Sequence, residues 1–495
     1  MRRLLPILLC LLLAASGALA SAESLSDAPL FAWTLTPEGN GLTTPAAIAT
    51  STNGGVFVVG STNSTEGLFG DALGGADGFV LRISASGTIQ WKQRLGGSLD
   101  DVFTNVLETP DGGCLALGTT SSTDGDARAS RGAMDAWAVK LDVNGELEWS
   151  KCLGGSLDDE LFHMELTDEG FIFACGRTQS RNGDLGANFG GWDAWAMLLN
   201  PEDGKPTWVY RYGFGGDDMF TTAFPIHEGW MMLGEVAEEI SVDSEGNPVY
   251  IGRPMAQMIS VNGEPMWEEP KILGDTGDNT LTCIVETETG WLLAGETNSR
   301  SALMPVMHGG TDIWVLHMRQ SGTVSWQRPF GGSKNERLHS IQAMPGGGFL
   351  LLGETDSADG QVFGSHGDGD VWMVRITASG VLEWQQALGG SEDSTATGLL
   401  VTEEGEYLVA GTTSSQDGDI GRHLSVRTGF LAQLSKNGNI LKTRTVTDAE
   451  ECSLLRIASR DGTAYLLGSI RDVDSNGPTE TLWVSRLSLS GYLDH

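Results

Sequence analysis

GTIQWKQRLGGSLDDV, residues 87–102, and GELEWSKCLGGSLDDE, residues 145–160, are nearly one phrase written twice, 58 residues apart. The tryptophan inside it recurs as Trp33, Trp91, Trp149, Trp208, Trp267, Trp326 and Trp384, at steps of 58 or 59 residues. An eighth unit starts near Leu441, where the tryptophan is lost. A second series holds one equivalent position: Phe79, Trp137, Trp195, Met255, Trp314, Trp372, Phe430 and Trp483. A third is glycine: Gly60, Gly118, Gly176, Gly234, Gly295, Gly353, Gly411 and Gly468. Three series in one register identify a repeat protein.

Each unit reads as four short strands. The second gives TIQWKQRL, FTNVLET, CLALGTT and AWAVKLD, rich in β-formers and bounded by Gly or Asp clusters. CLALG and its equivalents are apolar at successive positions, as a strand covered on both faces must be. No segment carries a sustained helical period, so the chain is all-β. Four strands per unit, in many units, predict a closed β-propeller. TPDGGC and DVNGEL are tight glycine-bearing turns suited to hairpins. A blade is therefore strands two, three and four of one unit plus the first strand of the next. On that accounting FAWTLTP, from Phe31, becomes the fourth strand of the last blade and closes the ring. Units beginning near residues 33, 91, 149, 208, 267, 326, 384 and 441 predict eight four-stranded blades in one domain, 33–495.

Residues 1–20 read as a signal peptide: Arg2 and Arg3 lead into LLPILLCLLLAA, too short to span a membrane, and Ala18-Leu19-Ala20 supplies a cleavage pattern. Residues 21–32 are a linker. The expected location is secreted or extracellular, with the periplasm as the other compartment. The formal charge of −35 repels nucleic acid and anionic lipid, and no later apolar run suggests membrane insertion. Cys114, Cys152, Cys175, Cys283 and Cys452 are odd in number and irregular in spacing, which is no disulfide framework. Cys114 and Cys175 sit in apolar strands and read as buried thiols. The scattered histidines argue against zinc.

DAWAVKLDVNGELEWSKCLGGSLDD, residues 135–159, together with the DGG turn at 111–113 and LALGTTSS at 115–122, resembles the SBBP-type repeats of exported bacterial β-propellers. The resemblance recurs in units one to three and five to seven. It implies a bacterial extracellular propeller and brings no catalytic residues with it. The family name implies seven blades, which stands as the alternative to eight.

Alternating strand direction puts the hairpin turns of every blade on one face. GGSLDD and the long third-to-fourth loops lie together on the other, where variable loops on a rigid scaffold usually carry function. That face is acidic, with Asp100 and Asp101, Asp158 and Asp159, and Asp217 and Asp218 as candidate binding residues. A structural reading stands beside this one: glycine permits a sharp path, and Asp and Ser cap exposed N–H groups. Trp192 in FGGWDAW could stack on a sugar or pack on its neighbours. Unit four departs from the pattern at EVAEEISVDSEGNPVYIG, adding Glu238, Glu239 and Asp243 to the candidates and suggesting an extra hairpin.

No cofactor is required by any motif, but calcium takes oxygen ligands at the spacing of some loops. These are S-x-D-G-D at Asp124 and Asp126 and at Asp417 and Asp419, Asn182 with Asp184, and DVDSNG with Asp472, Asp474 and Asn476. G-x-S-x-G and H-E-x-x-H are absent, and D-G-K-P-T-W, from Asp203 to Trp208, has the wrong spacing for a sialidase-type box. The expectation is a monomeric, exported, non-catalytic binding propeller whose acidic face engages an extracellular protein, a glycan or a cationic ligand. The alternative is a polysaccharide-active hydrolase or lyase using face carboxylates.

Overall fold

The computed structural model describes residues 31–487, apart from 129, 185–188, 243–247, 275–276, 300–306, 368, 403–404, 422–424, 447–448, 450 and 475–476. Among the described residues, eight antiparallel sheets of four strands each form the blades of a β-propeller. Blade 2 is typical: Asp101–Glu108, Cys114–Thr120, Asp135–Leu141 and Leu147–Leu153 pair in that order. Its first strand lies against the first strands of its neighbours, and the Asn105 amide reaches the Phe162 carbonyl of blade 3 at 3.3 Å. Blade 8 takes three strands from the C-terminal end, Glu451–Arg460, Thr463–Asp474 and Gly477–Leu487. Its fourth is Phe31–Leu35, with Trp33 opposite Arg486 and Thr34 opposite Ser485. The ring therefore closes through the N-terminal strand, with eight blades rather than seven.

Two of the three repeated series prove to be partners. Gly60 pairs with Phe79, Gly118 with Trp137, Gly176 with Trp195 and Gly234 with Met255. Gly295 with Trp314, Gly353 with Trp372, Gly411 with Phe430 and Gly468 with Trp483 complete the set. The glycine is required by close approach: a Cβ on Gly118 would stand 1.8 Å from the Val102 carbonyl oxygen of the first strand. The aromatic partner fills the blade junction. Trp137 is fully buried and stacks on Phe103, with ring centroids 4.6 Å apart.

The first tryptophan series has a different task. Trp91 lies on the fourth strand of blade 1 and donates its indole N–H to the Val143 carbonyl, in a hairpin turn of blade 2, at 2.9 Å. Trp33, Trp149 and Trp208 do the same to Ala85, Pro201 and Val261. Each indole covers a turn glycine at positive φ, such as Gly145 at 84°, where a Cβ would meet Trp91 at 2.6 Å. Tryptophan and turn glycine recur together because each makes room for the other.

Blade 4 departs from the pattern. Its fourth strand shrinks to Lys271–Ile272, and Trp267 falls outside it. Lys271, not Trp267, covers Gly322 of the next turn. The second and third strands instead lengthen to Gly229–Val242 and Pro248–Ser260. Blades 4 and 8, on opposite sides of the ring, both carry such extended hairpins. Among the described residues no helix is long and apolar enough to cross a membrane.

Candidate functional site: the loop face

Within each repeated acid pair the two residues part company. The second begins the first strand of a blade, or in Asp218 directly precedes it, and is buried: Asp101 and Asp159 are 0 % exposed and Asp218 is 1 % exposed. Asp101 Oδ1 accepts the Thr120 hydroxyl, while Oδ2 accepts the Ser122 hydroxyl at 2.9 Å and the Gly97 N–H at 2.8 Å. Asp159 repeats this with Thr178, Ser180 and Gly155. Asp218 accepts the N–H groups of Phe214 and Ala237 at 2.7 and 2.8 Å. Burial raises all three carboxyls above the ordinary carboxylate range, Asp218 to about 6, while these hydrogen bonds pull the other way. Three of the proposed face residues thus lie beneath the face and knit the crossover to the blade. The first member stays outside. Asp100 and Asp217 are exposed and Asp158 half-buried. Asp100 accepts the Ala76 N–H at 2.9 Å, and Asp217 accepts the Trp192 N–H at 3.0 Å, stapling the neighbouring long loop.

The residues considered for calcium are largely spent on backbone. Asp124 Oδ1 accepts the Ser98 N–H at 2.7 Å and Asp126 Oδ2 accepts the Gly96 N–H at 3.2 Å. Asn182 and Asp184 accept Ser156 and Gly154 in the same way, and Asp417 and Asp419 accept Ser391 and Gly389. Each long loop reaches back to brace the crossover of its own blade. Within DVDSNG, Asp472 and Asp474 stand on a strand and pair with Thr479 and Gly477 of the next strand. Asn476 lies outside the described residues, as does Asp243 of blade 4. Among the described residues no group of three or more His, Cys, Asp or Glu side chains is placed to hold a metal ion.

One sector of the loop face differs from the rest. On blade 3 the Arg177 guanidinium lies 4.1 Å from the Trp192 ring centroid and 5.6 Å from that of Phe162. Glu160 anchors it from below at 2.6 Å. Beyond it stand Phe189 and Phe214, 60 % and 47 % exposed. Phe189 faces Arg211 at 5.9 Å, and Phe214 packs edge-on against Tyr212 at 5.4 Å. Tyr250 of the extended hairpin covers Gly215 and Gly216: a Cβ would come within 2.4 Å of its hydroxyl at Gly215 and 3.1 Å of its ring at Gly216. The hairpin continues to Ile240 and Val242, 59 % and 61 % exposed. Glu238 and Glu239 lie on it, exposed, with Glu238 bound by Arg253 at 2.5 Å. This surface of arginine-backed aromatics and bare aliphatic side chains escaped sequence reasoning, apart from Trp192 and the hairpin. The signal was available in the aligned units: Phe162 stands where others have Thr104, Thr221 and Thr282, and Phe214 where others have Gly97 and Gly155.

An open depression of about 500 Å³ near the blade 1 loops is lined by Asn40, Asn63, Thr65, Gly75 and Asp100, with Asp100 the one carboxylate there among the described residues.

No family model matches this chain. The regulatory protein FlaEY of Caulobacter vibrioides is 21 % identical over 372 residues, 73 % of this chain and 35 % of that protein, so the match spans about a third of the relative's length. Similar solved structures include the WD40 domain of SCAP from fission yeast, at 10 % identity and a TM-score of 0.41 over 91 % of this chain and 96 % of that one. A europium-containing methanol dehydrogenase also matches, at 10 % identity and a TM-score of 0.37, over 77 % and 84 %.

Proposed function

We propose that this chain is a non-catalytic binding propeller, exported through residues 1–20, that engages an extracellular protein or glycan with the blade 3 and 4 sector of its loop face. One observation carries the reading: Phe189, Phe214, Ile240 and Val242, each at least 47 % exposed, gather in that sector beside Arg177 and Arg211. Soluble proteins seldom leave contiguous apolar surface bare unless something covers it. Aromatic rings backed by guanidinium groups suit stacking on a sugar face or an interface anchor. The hydrolase or lyase reading would require two carboxylates facing across an accessible pocket. In each repeated pair one carboxylate is buried and spent on hydrogen bonds, which favours binding over catalysis.

The test compares the intact mature chain with a Phe189→Ser, Phe214→Ser, Ile240→Asp variant on a glycan array and against a panel of secreted proteins. Phe363→Ser, at the 66 % exposed phenylalanine of blade 6, serves as the control. Binding retained by the control and lost by the triple variant supports the sector. Equal binding by all three chains overturns it.

A further inference from the structure

We infer that at four blade junctions the chain holds a proton between two buried acids, Asp77 with Asp101, Asp135 with Asp159, Asp193 with Asp218, and Asp312 with Glu336, so that the ring is tightest in mildly acidic surroundings. The first member of each pair opens the third strand of a blade, and the second opens the first strand of the next or, in Asp218, directly precedes it. All eight are at most 1 % exposed.

The geometry repeats. Oδ2 of the first member is used: it accepts the N–H of Leu73, Arg131, Phe189 or His308 at 2.8 to 2.9 Å. Oδ1 of the same four residues is buried with no hydrogen-bond partner, as is Oδ1 of Asp370, whose junction carries the neutral Ser394 in place of a second acid. At three junctions a glycine shows what this orphaned oxygen faces. A Cβ on Gly96 would stand 3.0 Å from Asp77 Oδ1 and 2.5 Å from Asp101 Oδ2; on Gly213, 2.7 Å from Asp193 Oδ1 and 2.8 Å from Asp218 Oδ2. On Gly331 it would stand 2.6 Å from Asp312 Oδ1 and 2.2 Å from Glu336 Oε2. The orphaned oxygen therefore lies beside a second carboxylate oxygen, one that already accepts the N–H of Gly97, Phe214 or Gly332. Two carboxylate ions so placed repel each other out of reach of solvent, a repulsion that the buried Arg94 guanidinium offsets at Asp77. One proton removes that repulsion and gives the orphaned oxygen a hydrogen to share in an O–H···O⁻ bond of the strong charge-assisted kind.

Other junctions do without the second acid. Where the second acid is missing, the first strand opens with a neutral residue, Asn279, Ser394 or Thr43, in the same hydrogen-bonded corner. The fold accepts an uncharged group there. Burial, then the neighbouring acid, pushes Asp218 upward, and burial likewise raises Asp101, Asp135, Asp159, Asp193, Asp312 and Glu336. The charged groups facing the pairs are Arg94 at Asp77, Arg131 and Asp184 beside Gly154, Arg181, Arg211 and Asp217 around Asp193 and Asp218, Asp126 beside Gly96, and His308 at Asp312. An acid bound more tightly to its proton in the folded state adds stability as pH falls through its raised value, until the unfolded chain is protonated too.

Thermal melting of the mature chain, followed from about pH 8 to about pH 5, should show a rising midpoint. Asp135→Asn keeps the oxygen that accepts Arg131 and puts an amide donor where the orphaned oxygen stood. It should melt higher than wild type at the alkaline end and show a shallower pH slope, while the exposed Asp100→Asn leaves the slope unchanged. An unchanged slope in Asp135→Asn, or lower melting at every pH, overturns the proposal. Infrared spectroscopy of the wild-type protein needs no variant. A protonated carboxyl band that persists above about pH 6, where ordinary carboxyls are ionised, supports shared protons, and its absence overturns them. Melting raised at the alkaline end by calcium, in wild type but not in Asp135→Asn, would assign a cation to the space instead and also overturn the proposal.

Discussion

Trp137→Ala is the perturbation that most sharply tests how the blades are held together. The side chain is fully buried, stacks on Phe103, pairs with Gly118 across the strands, and donates its indole N–H to the Ser150 hydroxyl at 2.8 Å. Ser150 in turn donates to the Asp126 carbonyl at 2.7 Å, tying the long loop to the fourth strand. Truncation removes on the order of 200 Å² of buried aromatic surface, or roughly 5 kcal/mol at 25 cal/mol per Å². Partial collapse of the cavity brings the expectation to about 3–5 kcal/mol. Trp137→Phe should behave otherwise, because blades 1 and 7 use Phe79 and Phe430 at this position. It forfeits the Ser150 hydrogen bond and some volume, for about 1–2 kcal/mol. Urea titrations followed by circular dichroism would separate these values. A loss below about 1 kcal/mol for Trp137→Ala, or equal losses for Ala and Phe, would refute junction packing by this series.

Gly145→Ala should destabilise by more than about 1 kcal/mol in the same titration, since a Cβ there is strained at positive φ and meets Trp91. Burial pushes the Glu165 carboxyl up to about 7. Its penalty is present above that pH and fades as pH falls toward the ordinary carboxyl range, so Glu165→Gln should stabilise by on the order of 1–3 kcal/mol near pH 8 and have little effect near pH 4.5 in pH-resolved melting curves. The Cys114 and Cys175 thiols are fully buried, and burial pushes Cys114 up to about 12. A thiol reagent at neutral pH should leave both unmodified in the folded chain and label both in denaturant; rapid labelling of either in the folded chain would contradict the packing.

Much of the fold was legible because propeller packing leaves marks at fixed intervals. The Gly118-type glycine and the Trp137-type aromatic recur since each blade needs one close approach and one bulky filler, and Trp91 recurs with Gly145 because one covers the other. The closure by Phe31–Leu35 followed from counting strands. The roles of individual carboxylates were not legible. Asp100 and Asp101 are adjacent letters, yet one faces solvent and the other accepts hydroxyls from 19 and 21 residues further along. Likewise D-G-D at Asp124 reads as a cation loop, and only the fold brings the Ser98 and Gly96 N–H groups to it. The arginine–aromatic sector was missed because repeats invite attention to what recurs. Phe162, Phe189 and Phe214 matter as exceptions within single units.

The most direct measurement concerns the seam. Thr34 and Ser485 are cross-strand partners whose hydroxyls lie 2.7 Å apart, a separation suited to a disulfide between the same positions. In a Thr34→Cys, Ser485→Cys double variant, oxidation of the folded chain should produce a single linked peptide by mass spectrometry and raise the melting temperature. Two thiols that remain separately alkylatable in the folded, oxidised chain would show that the N-terminal strand does not complete the eighth blade.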